Sequence, residues 1–234
     1  MKDDLQRRVQ RYGWDRAAPH YESVWRRPLE PAQEKLLERA APRPGMDVID
    51  VACGTGMVTF PAAEAVAPGG TVVATDLSRG MVDQARRTAD KRSISNVSFE
   101  RTDAQDLMHA EETFDAALCA LGLMYVPDPV EALREMHRVL VPGGRAVATV
   151  WGTRENCGWA EVFPIVDRRV QSEVCPLFFQ LGSGDALEAT FRTAGFTSVT
   201  ADRFGVDLLF GSEEEACGAV FEGGPVAMAW RTFD

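Results

Sequence analysis

Residues Val48 to Gly56 read Val-Ile-Asp-Val-Ala-Cys-Gly-Thr-Gly, an apolar run that ends in two glycines. Such a run predicts a buried strand that leads through Gly54 and Gly56 into a helix. Backbone N–H groups at this turn can approach a ligand closely, because glycine has no side chain. In open α/β sheets, ligands bind in the crevice beyond the carboxyl ends of the strands. We therefore expect a small-molecule site at this turn.

Two carboxylates belong to the same predicted site. Asp76 ends the second predicted strand, 22 residues after Gly54, where a carboxylate can accept hydrogen bonds from both hydroxyls of a ribose. Asp50 lies four residues before Gly54, and we expect it to direct a negative charge into the cleft. That charge would repel a pyrophosphate and attract a cationic amino-acid tail.

Histidines and cysteines offer few other reactive groups. Of three histidines, His20 is the one that we place over the cleft, as a candidate general base. His109 and His137 are expected to have structural or solvated roles. The five cysteines include no C-x-x-C pair, which fits neither a disulfide framework nor a structural zinc site. We therefore predict a reducing compartment and no metal ion.

The elements that must position these residues alternate between strand and helix. This rhythm favours parallel β-α-β units in a doubly wound, Rossmann-like α/β sheet that is covered on both faces. Ser78 can cap the third helix, and Pro142 to Gly144 form a predicted turn. The predicted strands of this region are Met46–Ala52, Thr71–Thr75, Val97–Glu100, Phe114–Ala120 and Ala146–Trp151, and its last helix is Pro129–Leu140.

Helical cover segments and two further strands complete the expected architecture. Residues 1–45 form a helical preface broken by Pro28 and Pro31, and residues 152–184 form a lid insertion with a helix at Trp159–Val170. Together with the core at 46–151 and a C-terminal part at 185–234, they make one domain. A helix at Asp185–Thr193 and strands at Thr197–Phe204 and Val206–Phe210 bring the mostly parallel sheet to seven strands.

Composition restricts the partners. The net charge is −10 and the sequence pI is about 4.9, so a nucleic-acid backbone would be repelled. The first 15 residues are charged where a signal peptide is apolar, and no apolar run is long enough to span a membrane. We expect a cytoplasmic protein that acts on a small molecule, with a homodimer left open.

Five segments in succession resemble the motifs of class I S-adenosylmethionine-dependent methyltransferases. The resemblance covers about Tyr12 to Phe210 and is closest to the type found in ubiquinone and menaquinone biosynthesis, whose relatives act on small molecules. It implies S-adenosylmethionine as the cofactor, which agrees with the charge of Asp50. The segments are VIDVACGTG, TDLS, RTDAQDL, FDAALCALGLMYVPD and HRVLVPGGR.

The resemblance also implies a role for particular residues. The glycine loop would hold the methionine part of the cofactor, and Asp76 would hold the ribose. Residues after the third strand would contact the adenine, and residues at the end of the fourth strand would form the floor beside the sulfonium. Tyr21, in the preface, would fold over the cofactor. The implied contacts are Ala52, Cys53, Gly54, Thr55 and Gly56 in the loop, Leu77 and Met81 on the adenine face, Asp103 and Ala104 at the adenine amino edge, and Cys119, Ala120 and Leu121 in the floor.

The sequence departs from the family pattern at some positions, so alternative functions have to be weighed. Ala52 stands where relatives carry a glycine, so the loop has less backbone freedom. Thr59 replaces the third glycine of the dinucleotide fingerprint G-x-G-x-x-G, which weighs against an NAD-type oxidoreductase. An arsenite methyltransferase would need several thiols around one arsenic, and Cys157, Cys175 and Cys217 have no spacing that brings them together. A non-catalytic cofactor-binding subunit is the remaining alternative.

Overall fold

Five parallel strands form one sheet in the computed structural model, which describes residues 2–168, 178–224 and 226–227. Their order is β3-β2-β1-β4-β5, so the order reverses between β1 and β4. Every pairing is parallel, which brings all five carboxyl ends to one edge of the sheet. The strands are β1 (Asp47–Val51), β2 (Thr71–Asp76), β3 (Val97–Arg101), β4 (Phe114–Ala120) and β5 (Leu140–Thr149).

Helices cover both faces of the sheet. Alternate residues of β1 contact opposite faces: Ile49 packs with α4 and α6, whereas Val48 packs with α2 and the C-terminal part of α1. A third cluster joins α3 to β2 and β3. The doubly wound architecture is therefore confirmed. The helices are α1 (Lys2–Ala40), α2 (Thr59–Val66), α3 (Arg79–Arg92), α4 (Pro129–Val139), α5 (Val162–Asp167), α6 (Ala186–Thr193) and α7 (Glu213–Phe221).

The core strands lie close to their predicted positions. The fourth strand matches at both ends, and the first three differ by one residue at one or both ends. The fifth is longer than predicted, because the turn at Pro142 to Gly144 is part of β5. There the register shifts from Phe114 opposite Leu140 to Ala116 opposite Arg145, so the extra residues form an irregularity within the ladder.

The preface is one helix, not the broken segment that we predicted. Helix α1 continues through Pro19, Pro28 and Pro31, although each proline removes an N–H donor from the helix. Tertiary packing accounts for its persistence, because Trp25 and Leu29 are 4% and 3% exposed. The Trp25 indole N–H also donates to the carbonyls of residues 219 and 223, at 3.0 Å each, at the C-terminal end of α7.

The two C-terminal strands that we predicted are absent. Residues 197–210 form no strand, so the described residues have five strands and not seven. Their apolar residues serve a different contact, since Leu208 and Phe210 pack against α1 beside Trp25. Arg203 fixes the same segment by donating to the carbonyl of Gly182 at 2.6 Å. The alternating apolar residues of the 197–210 segment therefore pack against α1 and do not form a strand.

The predicted lid insertion lies partly outside the described residues. Within the described part, the expected helix at Trp159–Val170 is a 3₁₀ turn, Gly158–Glu161, followed by α5. Cys175 falls outside the described residues. Across the helices that are described, we find none with the length and apolar character needed to cross a bilayer.

The C-terminal part of α1 is predicted to contribute strongly to stability. Leu36 is 1% exposed and packs in the cluster that contains Val48 and Val66. Leu36→Ala should lower the free energy of unfolding by about 2–5 kcal/mol, because it leaves a cavity between α1 and the sheet. Leu5→Ala, on the same helix at 62% exposure, should change it by less than about 0.5 kcal/mol. Chemical denaturation measures both, and equal values would contradict the packing described for α1.

Candidate functional site

A cleft runs along the edge of the sheet where the five strands end. It encloses about 970 Å³ of empty space, part of which is open solvent, and it lies where open α/β sheets bind their ligands. Each strand contributes residues at its carboxyl end or just after it, in the order of the sheet. From the β3 side to the β5 side these are Thr102, Asp103 and Ala104; Asp76 and Leu77; Ala52 and Gly54; Ala120, Leu121 and Gly122; and Trp151.

One face of α1 forms the opposite wall of the cleft. Its lining residues recur at intervals of three, four or seven, which places them on one side of a helix. Sequence reasoning identified Tyr21 and missed most of the others, although their helical spacing was a readable signal. They are Arg7, Gln10, Trp14, Tyr21, Trp25 and Leu29.

Asp76 lies near the centre of the cleft and joins two parts of it. One carboxylate oxygen accepts a hydrogen bond from the Gly54 N–H at 2.9 Å, and the other accepts one from the Ser78 N–H at 2.8 Å. Burial raises the pKa of Asp76 to about 6 despite these two bonds. Because a carboxylate oxygen can accept more than one bond, Asp76 retains capacity to bind hydroxyl groups of a ligand.

The glycine loop leaves space for a ligand beside its backbone. Gly54 has a φ of +57°, and a Cβ built there would point towards the Tyr21 ring, 3.7 Å from its nearest atom. A side chain at this position would therefore occupy the space between the loop and α1. Ala52 has a φ of +58°, the left-handed region in which an L-residue is strained. This agrees with the loss of backbone freedom predicted for Ala52.

Asp50 does not face the cleft, contrary to our expectation. It is 1% exposed and accepts a hydrogen bond from the Thr59 hydroxyl at 2.6 Å. Burial raises its pKa to about 7. Thr59, which takes the place of the third glycine in a dinucleotide fingerprint, is thus the partner of this buried carboxyl. Asp50 can act on a ligand only through its field from beneath the loop.

His20 does not reach the cleft either. It is exposed and does not line the cavity, because a one-residue step from Tyr21 turns it about 100° around the helix. The proposal that His20 is a base over the cleft is therefore wrong. Tyr21 is a poor base as well, since burial, followed by the charge of Asp76, holds its pKa well above the ordinary value.

The predicted cofactor contacts divide into two groups. Ten of them line the cleft: Tyr21, Ala52, Gly54, Asp76, Leu77, Met81, Asp103, Ala104, Ala120 and Leu121. The other five, in β1, the glycine loop or β4, are buried and do not line it: Asp50, Cys53, Thr55, Gly56 and Cys119. Gly56, for example, faces Phe60, whose ring a Cβ there would meet at 2.6 Å.

The thiols of the four described cysteines form no cluster that could hold a metal ion. Cys53, Cys119 and Cys157 are buried, whereas Cys217 is exposed. Burial raises the pKa of Cys119 to about 12, so its thiol is neutral near pH 7. Within the described residues, no three His, Cys, Asp or Glu side chains are grouped so that they could hold a metal ion.

The β3 end of the cleft is closed by an ion pair. The Arg7 guanidinium donates to the Asp103 carboxylate at 2.7 Å, and the other oxygen of Asp103 accepts from the Gln105 N–H at 2.9 Å. Arg7 links the N-terminal part of α1 to the segment after β3. Asp103, which the family resemblance assigns to the adenine amino edge, is therefore already paired with α1.

Aromatic side chains dominate the β5 end. Trp159 contacts Trp25 and Trp151 at ring-centroid distances of 6.3 and 5.4 Å. Tyr125 stacks edge to face on Trp14 at 5.1 Å. The Trp159 indole N–H is buried and has no hydrogen-bond partner among the described residues. This end can hold a flat apolar group and donate one hydrogen bond to it.

The residues present fit S-adenosylmethionine. The charged residues that line the described cleft are Arg7, Asp76 and Asp103, and Arg7 and Asp103 pair with each other. The unpaired charge is therefore negative, which suits a cationic ligand. The space against Gly54 matches the amino-acid tail of the cofactor, and the carboxylate of Asp76 matches its ribose. The apolar side chains of Leu77 and Met81 match the adenine.

Curated methyltransferases are similar to this chain in sequence. Aklanonic acid methyltransferase DauC of Streptomyces sp. (strain C5) is 30% identical over 149 residues, which is 64% of this chain and 68% of that protein. Demethylmenaquinone methyltransferase of Lactococcus lactis is 29% identical over 185 residues, 73% of each chain. Nocamycin O-methyltransferase of Saccharothrix syringae is 36% identical over 132 residues, 56% of this chain, and the match spans about half (47%) of that relative.

Solved structures agree in fold. A methyltransferase-like protein from Bacillus halodurans C-125 has 27% identity and a TM-score of 0.55, covering 70% of this chain and 68% of its own. The [4+2]-cyclase SpnF has 22% identity and a TM-score of 0.69, covering 96% and 88%; at that identity the likeness concerns the fold alone. The family described as "Methyltransferase domain" matches residues 48–144, the part of the chain that carries the glycine loop, nearly all of β1, all of β2 to β4 and the start of β5. This chain therefore belongs to the class I S-adenosylmethionine-dependent methyltransferases.

Proposed function

We propose that this protein transfers the methyl group of S-adenosylmethionine to a hydroxyl group of a flat, largely apolar small molecule. The observation that carries this proposal is the aromatic β5 end of the cleft, formed around Trp151 and Trp159. The named relatives support it, since they include an O-methyltransferase and enzymes named for demethylmenaquinone and aklanonic acid.

The cofactor supplies an activated methyl group on a sulfonium, so the protein's task is alignment and exclusion of water. In our proposal, Asp76 accepts the ribose hydroxyls, and the Gly54 turn holds the amino-acid tail. Leu77 and Met81 contact the adenine, whose edge faces Ala104 and the Arg7–Asp103 pair. Helix α1 covers the bound cofactor with Tyr21, and the segment after β5 covers the acceptor.

The described cleft offers little help in deprotonating the acceptor. Its ionisable lining residues are Arg7, Tyr21, Asp76, Asp103 and Tyr125, and Asp76 and Asp103 are already engaged in bonds. Tyr21 remains protonated near pH 7, because its pKa is raised. An acceptor with an acidic hydroxyl, such as a phenol or an enol, needs no strong base. This chemistry favours such acceptors over aliphatic alcohols.

The remaining expectations belong to the same proposal. The net charge of −10 supports a small molecule over a nucleic acid as the acceptor. Three further features stay predictions. They are a cytoplasmic location, a single domain covered by α1 and the 152–184 segment, and a homodimeric state. Light scattering measures the oligomeric state directly.

The direct test is turnover with labelled S-adenosylmethionine. Polycyclic phenols and enols should gain a methyl group on oxygen, identified by mass spectrometry, whereas aliphatic alcohols and RNA should not. Aromatic amines and thiols of similar shape serve as matched acceptors that separate O-methylation from N- and S-methylation. Because the fold is shared with a [4+2]-cyclase, tight binding of S-adenosylhomocysteine without any methylated product would count against methyl transfer and favour another role.

Removal of the Asp76 carboxylate is predicted to weaken cofactor binding. Asp76→Ala deletes charge-assisted hydrogen bonds worth about 1.5–3 kcal/mol, so the Kd for S-adenosylhomocysteine should rise about 10- to 100-fold. Isothermal titration measures it, with a retained circular dichroism spectrum as the criterion of folding. Asp90→Ala, which removes an exposed acid from α3, should leave the Kd unchanged. An unchanged Kd in folded Asp76→Ala would place the ribose elsewhere.

Opposite pH dependences are predicted for stability and for cofactor binding. The folded-state pKa values of Asp76 and Asp50 are raised to about 6 and about 7, above the value near 3.9 of an unfolded aspartate. Both groups thus favour the folded state below about pH 4, and this contribution is lost as the pH rises through 6 and 7. S-adenosylhomocysteine should bind more tightly over the same rise, because ionised Asp76 is the better acceptor. Thermal unfolding and titration across this range measure the two slopes; slopes of equal sign would contradict the assignment.

A further inference from the structure

Asp15, on α1, makes two contacts with the start of α3. One carboxylate oxygen accepts a hydrogen bond from the Ser78 hydroxyl at 2.7 Å and another from the Gly80 N–H at 2.8 Å. Ser78 is the N-cap of α3, and its hydroxyl oxygen also accepts a hydrogen bond from the Met81 N–H at 3.1 Å. Asp15 does not line the cleft, so it cannot act on a ligand by direct contact.

Ser78 connects Asp15 to the centre of the cleft. Its N–H donates to Asp76, and the other oxygen of Asp76 accepts from the Gly54 N–H. A continuous path therefore runs from α1 through Asp15, Ser78 and Asp76 to the glycine loop. Movement of Asp15 would displace the hydroxyl and the backbone that fix the Asp76 carboxylate.

The contact between α1 and α3 is close enough to transmit small displacements. A Cβ built at Gly80 would lie 2.9 Å from the Asp15 carbonyl oxygen and 3.2 Å from the Ala18 Cβ. Ala17 and Ala18 are 0% and 3% exposed. Helix α1 thus rests on the first turn of α3 with no intervening side chain, and the position of that turn depends on α1.

We propose that Asp15 is a positioning residue for the cofactor, which aims the Asp76 carboxylate at the ribose by holding Ser78 and the first turn of α3. The inference rests on the proposed function and extends it. It makes α1 a part of the ribose site as well as its cover.

A purely structural clamp would behave differently from a positioning residue. A clamp affects how firmly α1 is attached, and the folded variant would bind the cofactor normally. Asp15 also places a negative charge close enough to Asp76 to contribute to the raised pKa of that carboxyl. Among the described residues, the other ionisable groups that interact with Asp76 or lie beside it are Tyr21 on α1, Asp50 on β1, Cys53 in the glycine loop, Cys119 on β4 and Arg101, whose side chain donates to the Leu77 carbonyl.

Three variants test the proposal by titration with S-adenosylhomocysteine and by steady-state kinetics. Asp15→Ala should raise the Kd and the KM for the cofactor about tenfold, because it deletes two hydrogen bonds from a charged acceptor, and kcat should stay within about twofold. Asp15→Asn keeps an oxygen acceptor, so above pH 7 its Kd should stay within about threefold of wild type. Glu34→Gln, an exposed acid on the same helix, controls for the lost charge and should change nothing.

The pH profile provides a second measurement that folding alone does not affect. In Asp15→Asn, the loss of the neighbouring charge should move the midpoint for cofactor binding to a lower pH than in wild type and Glu34→Gln. A tenfold loss in Asp15→Ala together with this shift supports the proposal. A normal Kd in folded Asp15→Ala overturns it, as does an unmoved midpoint in Asp15→Asn. If Asp15→Ala does not fold, the pH midpoint for cofactor binding in Asp15→Asn tests the proposal by itself.

Failure of this inference is distinguishable from failure of the proposed function. Wild-type protein that binds S-adenosylhomocysteine while both Asp15 variants behave like wild type overturns only the role of Asp15. Wild-type protein that binds no S-adenosylhomocysteine overturns both.

Discussion

The two hydrogen bonds accepted by Asp76 connect the parts of the molecule that make up the cleft. Gly54 belongs to the turn after β1, and Ser78 caps the helix after β2. Both hydrogen bonds are partly buried, and a donor left unpaired away from water costs about 1–3 kcal/mol. One carboxylate therefore satisfies two adjacent turns and fixes their separation. Its remaining lone pairs face the cleft, so the interaction that stabilises the turns also provides a binding group.

Helix α1 determines what the cleft can hold. Its cleft-facing side extends from Arg7, at the β3 end, to Leu29, near the β5 end. The polar contacts lie towards its N-terminus, where Arg7 pairs with Asp103 and Asp15 holds the start of α3. The aromatic contacts lie further along the helix, where Trp25 meets Trp159. In the proposed function, the same helix thus presents polar groups to the cofactor and a flat apolar surface to the acceptor.

The sequence was sufficient to predict the core because local and global signals agree there. Strands β1, β2 and β4 are short, mainly apolar runs, and β3 alternates apolar with polar residues before its charged end. Ser78 is a strong capping residue. The glycine turn and Asp76 follow from their positions at the strand ends, since parallel strands end at one edge. These predictions needed no knowledge of how distant segments pack.

Other predictions failed where tertiary packing decides the outcome. Pro28 and Pro31 suggested a broken preface, yet burial of Trp25 and Leu29 keeps α1 helical. Residues 197–210 alternate like a strand, but their apolar side chains pack on α1 beside Trp25. His20 and Tyr21 are adjacent in sequence, and only the rotation of α1 determines which of them faces the cleft. A single sequence carries no strong signal for that rotation.

Backbone strain occurs beside the cleft, where the strand order reverses between β1 and β4. Ala52 follows β1 and Leu121 follows β4, and both have positive φ values, +58° and +55°. Each costs about 1–2 kcal/mol in an L-residue. Gly122, next to Leu121, has no room for a side chain, because a Cβ there would lie 2.6 Å from the Ala52 Cβ and 2.8 Å from the Cys119 sulfur. The chain thus turns sharply away from the sheet on both sides of the β1–β4 boundary, and the two turns touch. In the proposed function, these strained turns shape the crevice between the cofactor and acceptor ends of the cleft, which the methyl group crosses.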